Sequence, residues 1–297
     1  MSTLHTADRA RLVRSEKLRR VRLPWLLLTA AVWMIAAACA VFFWGYLNQG
    51  VHGMDSGAYW LTAHRHDLYG AAPGSVDAYL YSPAFAALLW PVAQLPRHLF
   101  IDVWMLAEAV AFGWLLRPLR LRWGVPAFCL CMGEIVVGNI YSFLAVVAVV
   151  GARQPAAWAL PLLTKITPGL GPVWFAVRRE WRALAWSGAV TAGIAVVSFA
   201  VNPAGWFDWI RFLVDNAGGS QFLLPLRVAV AAALVAYAAV RRWTWVLPIA
   251  MLLANPMVLH SEMALSLLAA LPRLIRDATW DRRDRTAPMR SSDTIGA

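Results

Sequence analysis

From Pro24 to Tyr46 the chain carries no charged side chain. Hydrocarbon about 30 Å thick needs roughly 20 apolar residues to be crossed by one helix. Within it, every backbone amide must find its partner inside a helix or a closed barrel. The segment meets that length, and no long alternating strands occur anywhere in the sequence, so a helical bundle is the expected solution. Composition agrees: 60% of the residues are hydrophobic and 14% charged, against about 45–50% and 25% in soluble domains. Further apolar runs lie at 98–116, 125–137, 141–152, 155–164, 168–178, 182–201, 222–240, 243–258 and 262–276. Several are shorter than a span, so 125–152 and 155–178 each form either one crossing or two. The expectation is an all-α polytopic membrane protein of about eight to ten transmembrane helices.

The formal charge of +11 does not point to nucleic acid, because the arginines cluster at the ends of apolar runs and form no basic face interleaved with aromatics. The stretch 81–96, broken by Pro83, Pro91 and Pro96, decides the topology. Proline costs about 3 kcal/mol inside a helix, and the stretch is short for a crossing. If it stays at the outer interface, all 27 Lys and Arg except Arg65, Arg97, Lys165, Arg211 and Arg227 fall on one side. The positive-inside rule makes that side cytoplasmic. Both termini are then cytoplasmic, and the chemistry faces outward. The chain divides into a basic tail (1–23), a transmembrane domain (24–276) with an extracytoplasmic loop and interfacial segment at 47–97, and a polar tail (277–297) expected to be disordered. The 17 Trp fit interfacial belts. Cys39, Cys129 and Cys131 lie in apolar runs and read as small buried hydrophobes. Cys39 follows two alanines, as in a lipoprotein cleavage site, but the apolar run continues through Trp44 and reads as an uncleaved span.

Asp55 follows the first apolar run by a few residues. A lone loop Asp is most often a cap or solvated. Beside an apolar interface, however, partial desolvation raises its basicity and suits it to proton abstraction. Lys165 is one of two lysines, the other being Lys17. It interrupts an apolar region, where an ionisable group marks a functional site or snorkels to the headgroups. A compact ammonium suits a phosphate. Arg227 and His260 stand at outer ends of apolar runs, either facing the same cavity or serving as a snorkelling cation and a satisfied histidine. Glu108, Glu134 and Glu262 lie in or near spans, Glu108 deepest. The chain has no Walker loop, dinucleotide glycine fingerprint, His-Glu-x-x-His or Gly-x-Ser-x-Gly. It also lacks Asp-x-Asp, so no metal on a nucleotide-sugar diphosphate is indicated and no cofactor is expected.

Several segments together are similar to the polyprenyl-phosphate-mannose-dependent α-mannosyltransferases of glycosyltransferase family 87, in the GT-C superfamily. They are Asp55 with Tyr59, Leu68-Tyr69-Gly70, Tyr79-Leu80-Tyr81-Ser82-Pro83, Leu95-Pro96 with Trp104, Gly138-Asn139-Ile140-Tyr141, Lys165-x-x-Pro168, and Asn255-Pro256 through His260. Asn139 stands where that family usually has Gln, and the chain is shorter than is typical. The resemblance implies a GT-C-like bundle with an extracytoplasmic active site. It makes Asp55 the general base, with Tyr59, Tyr81, Asn139, Lys165, Arg227 and His260 around the substrates. A hexose, mannose by resemblance, would pass with inversion from a polyprenyl-phosphate donor to an envelope glycolipid or glycan. A phosphate leaving group agrees with the missing Asp-x-Asp, and the membrane lipids would surround the bundle. Two other classes compete. A transporter or flippase would use Glu108, Lys165 and Arg227, but the broken inverted repeats common in that class are not evident. A non-catalytic subunit of envelope-glycan assembly would suit the short length.

Overall fold

The computed structural model describes residues 2–216, 223–256 and 262–286. These residues form helices and connecting turns, with no strand among them, and the chain is an all-α polytopic membrane protein. Helix α1 (Ser2–Asn48) carries the first apolar run and packs mainly along α5 and α6, with most of the side chains from Leu23 to Asn48 turned outward. Then come α2 (Met54–Trp60), α3 (Pro83–Leu89), α4 (Arg97–Leu116), α5 (Leu121–Leu130), α6 (Met132–Val137) and α7 (Tyr141–Val150). The second half holds α8 (Ala159–Thr164), α9 (Gly171–Val177), α10 (Trp181–Val201), α11 (Pro203–Asp215), α12 (Leu224–Arg241), α13 (Leu247–Ala254) and α14 (Leu271–Thr286). A 3-10 segment, Glu262–Ala270, leads into α14.

Among the described residues, four helices are long and apolar enough to cross a bilayer: Leu23–Asn48 within α1, α4, α10 and α12. Most of the other apolar runs do not form single helices of that length, and the reason lies in the backbone. The run 125–152 is cut at Gly138, which adopts a left-handed conformation with φ of 72°. The run 155–178 is cut at Ile166, with φ of 51°. The first run is thus divided among α5, α6 and α7, and the second between α8 and α9. Broken helices are tolerated at membrane depth where protein surrounds them, and α7 and α13 are largely buried. The close packing of α12 on α13 rests on small residues: Ala231, Ala238 and Ala239 of α12, with Ala250 and Ala254 of α13, are all fully buried. Small side chains let helix backbones approach where lipid offers no hydrophobic drive.

The proline-broken stretch holds α3, only 7 residues long, and a single 3-10 turn at Val92–Gln94. At 1.5 Å per residue α3 covers about 10 Å, a third of the hydrocarbon thickness. Ser82 caps it, accepting from the Phe85 amide while its hydroxyl donates to the Leu163 carbonyl at 2.5 Å. That bond ties the first loop to the end of α8.

Two glycines bring α2 against α6. Gly53 is left-handed at the start of α2 (φ 66°), and its amide donates to the Val136 carbonyl at 2.7 Å. A Cβ on Gly138 would sit 2.4 Å from Ser56 Oγ and 2.8 Å from Ser56 Cβ. Gly138→Ala therefore combines a left-handed penalty of roughly 1–2 kcal/mol with an overpacking penalty of about 1–3 kcal/mol. Unfolding in detergent should show a loss of about 3 kcal/mol. In a Ser56→Gly background, which removes the clashing atoms, the same substitution should cost only about 1–2 kcal/mol.

Candidate active site

Asp55 and Tyr59 are one turn apart on α2, so both side chains leave the same face. Tyr59 is buried, with its ring against Tyr81, Phe85 and Trp104. Its hydroxyl donates to the Tyr81 hydroxyl at 3.1 Å, which in turn donates to Asn139 Oδ1 at 3.5 Å. Burial pushes the Tyr81 phenol up to about 12, against the opposing pull of Lys165, so it stays protonated and can donate.

Asn139 is the hub. It follows the left-handed Gly138, and its Oδ1 accepts from the backbone amide of Ile140 at 2.7 Å. An N–H donor fixes that atom as the oxygen, which leaves the amide nitrogen to donate to Asp55 Oδ2 at 2.5 Å. The Trp104 indole donates to the Asn139 carbonyl at 3.1 Å. The carboxylate of Asp55 is thus oriented by a side chain that its own turn and its neighbours hold in place. Burial raises the Asp55 carboxyl above the ordinary carboxylate range, and the positive charge of Lys165 draws it part of the way back.

Lys165 caps the end of α8, with its ammonium 4.2 Å from the ring centre of Tyr141 and 5.3 Å from that of Tyr81. Negative ring faces stabilise such a cation without neutralising it. Among the described residues the ion pairs are Arg97–Asp77, Arg178–Glu180, Arg211–Asp208 and Arg276–Asp277. Neither Asp55 nor Lys165 takes part in one. Asp55 and Lys165, both only partly buried, therefore lie close enough for the lysine's charge to act on the carboxylate, each held by neutral groups.

Arg227 sits at the edge of this arrangement. Its guanidinium donates to the Leu253 carbonyl at 3.1 Å and to the Asn255 carbonyl, closing the C-terminal end of α13. Asn255 accepts from the Tyr141 hydroxyl at 3.1 Å, so Arg227 reaches the lysine through Asn255 and Tyr141. The structure thus gathers Asp55, Tyr59, Tyr81, Asn139 and Lys165, with Arg227 one step removed. His260 lies outside the described residues.

Three residues not singled out for the site hold it together. Tyr141, the first residue of α7, carries the ring beneath Lys165. Asn255 joins Tyr141 to Arg227. Glu134 accepts from the Tyr141 amide at 2.7 Å through Oε1, capping α7 from across the Gly138 turn. The signals were present: a carboxylate and a tyrosine flanking Gly-Asn, and an Asn-Pro inside an apolar run. Behind this turn lies an apolar cleft of about 460 Å³, walled by Cys39 and Phe43 of α1, Leu130, Glu134, Met263 and Leu268.

Comparison with known proteins identifies a family. The sequence model of glycosyltransferase family 87 matches residues 79–288. The match takes in Tyr81, Asn139, Lys165, Arg227 and His260, and begins after Asp55 and Tyr59. Neither a curated protein nor a solved structure matches the chain.

Proposed function

Because the chain belongs to glycosyltransferase family 87 and is a membrane glycosyltransferase, we propose that it moves a hexose, mannose, from a polyprenyl-phosphate donor to a glycolipid or glycan of the cell envelope, on the extracytoplasmic face and with inversion. The observation that carries this reading is the Asp55 carboxylate, oriented by Asn139 and within electrostatic reach of the Lys165 ammonium. Asp55 takes the proton of the acceptor hydroxyl as that oxygen bonds to the anomeric carbon. The bond from that carbon to the phosphate oxygen breaks, and the electron pair leaves with the polyprenyl phosphate. Lys165 lies where an ammonium can offset the charge building on the departing phosphate, an effect that is often the largest catalytic contribution. Arg227 and His260 are assigned to the same phosphate, and Tyr59, Tyr81 and Asn139 to holding the base and the sugar. The apolar cleft behind Glu134 suits the first isoprene units of the donor. Both termini are assigned to the cytoplasm, a reading that the arginine clusters support through the positive-inside rule.

The direct test supplies membranes with radiolabelled polyprenyl-phosphate-mannose and follows labelled product. Asp55→Asn should lower turnover by roughly 10²–10⁴-fold, the usual contribution of a positioned base, while donor binding persists. Unchanged turnover in that variant would remove Asp55 from the chemistry.

The pH profile tests the lysine. Asp55 acts when ionised, so activity falls as pH drops through its raised pKa. Lys165 holds that pKa down, so Lys165→Gln lets it rise further and should move the acid limb of kcat/KM to higher pH. Lys165→Arg keeps the charge and should leave the limb near its wild-type position. A limb that stays put in Lys165→Gln would separate the two groups.

A further inference from the structure

At the end of the bundle away from Asp55, the structure builds a second polar cleft that the reaction does not use. Helix α12 starts beside Asn255 through Arg227 and ends 18 residues later at Arg241. That is about 27 Å along its axis, close to the hydrocarbon thickness of a bilayer. There, α7, α9, α12 and α14 enclose a cleft of about 600 Å³, walled by Arg153, Arg178, Arg241 and Arg242 with Trp174, Trp243 and Trp245.

The acidic groups in its wall are already engaged. Glu180 pairs with Arg178 at 2.6 Å, and Asp277 with Arg276 at 3.6 Å. Arg178 also donates to the Ala239 carbonyl. Arg153, Arg241 and Arg242 remain exposed, each without a carboxylate partner among the described residues. The Arg241 guanidinium stacks 5.1 Å from the centre of the Trp243 ring. Arg242 is more telling. It ends α12 in a left-handed conformation, φ 58°, where its amide and that of Trp243 close the helix onto Ala239 and Ala238. Glycine takes that position at no steric cost, whereas other residues pay roughly 1–2 kcal/mol. The chain spends that strain to hold a guanidinium at the mouth of a cleft.

Positive charge at this end needs only water if its role is to orient the chain. A half-open cleft with three guanidiniums that have no carboxylate partner among the described residues, indole walls, and Val149 and Leu274 at its side has the chemistry of an anion-binding surface. Guanidinium forks match phosphate oxygens in pairs. We propose that this cleft binds a phosphate-ester headgroup, with the apolar flank of Val149 and Leu274 taking the start of an acyl chain. The site stands apart from Asp55, so its failure would leave the transferase reading untouched.

The test uses the purified full-length chain stripped of lipid in detergent. Native mass spectrometry titrates dioleoylphosphatidylglycerol against dioleoylphosphatidylcholine, and a parallel arm measures thermal protection by glycerol 3-phosphate. Wild type should retain the anionic lipid preferentially. Each arginine near a headgroup contributes about fivefold in affinity, so Arg153→Gln, Arg241→Gln and Arg242→Gln combined should weaken retention roughly a hundredfold. The triple control Arg117→Gln, Arg120→Gln, Arg122→Gln removes equal charge near the end of α4 and should change it little. Arg242→Gly, which relieves the left-handed strain and so keeps the fold, should by itself lose about fivefold. Protection by glycerol 3-phosphate without lipid retention would support the headgroup chemistry and assign it to a soluble ester. Equal losses in both triple variants, or no response in either arm, would overturn the proposal.

Discussion

The amide of Asn139 bridges a backbone N–H and a carboxylate, and the site's geometry follows from that one bridge. Its oxygen is committed to Ile140, so its nitrogen has no choice but Asp55. The bridge exists because Gly138 turns left-handed directly against Ser56. Glu134 then secures the first amide of α7 on the far side of the turn. Sequence, turn and site are linked here by two residues: a glycine whose missing Cβ leaves room for Ser56 and a side-chain amide that presents both a donor and an acceptor.

A bilayer usually forces backbone into uninterrupted helices. Among the described residues this protein meets the constraint with four long helices, three of which present mostly outward surface, and its breaks at Gly138 and Asn255 are buried. The turns at Gly138 and Ile166 and the end of α13 at Asn255 supply Asn139, Lys165 and the Asn255–Arg227 contact in turn. Regular helix would have aimed these groups along helix faces. Interrupting it lets residues from distant parts of the chain converge beneath the first loop, and surrounding protein satisfies the backbone that the breaks release.

Much of this was legible in the sequence. The charge-free run 24–46, the failure of 81–96 to offer a helix long enough to cross, and the family itself follow from apolar length, proline placement and short motifs. Asp55 and Lys165 stood out because ionisable residues are expensive near lipid. The number of long helices was not legible, since hydropathy does not register a single left-handed residue inside an apolar run. Nor was the scaffolding role of Tyr141, Asn255 and Glu134, which depends on contacts across more than a hundred residues in the case of Tyr141 and Asn255. Periodicity reports which face of a helix is apolar; it carries no information on which two breaks meet.

The closeness of Asp55 to Asn139 can be measured without any substrate. In a variant with Cys39, Cys129 and Cys131 replaced by alanine, cysteines at 55 and 139 should be joined efficiently by a short bifunctional methanethiosulfonate in native membranes. A pair at 55 and 241, at opposite ends of the bundle, should not be joined. Failure of the first pair while both thiols remain reactive, or joining of the second, would contradict the account.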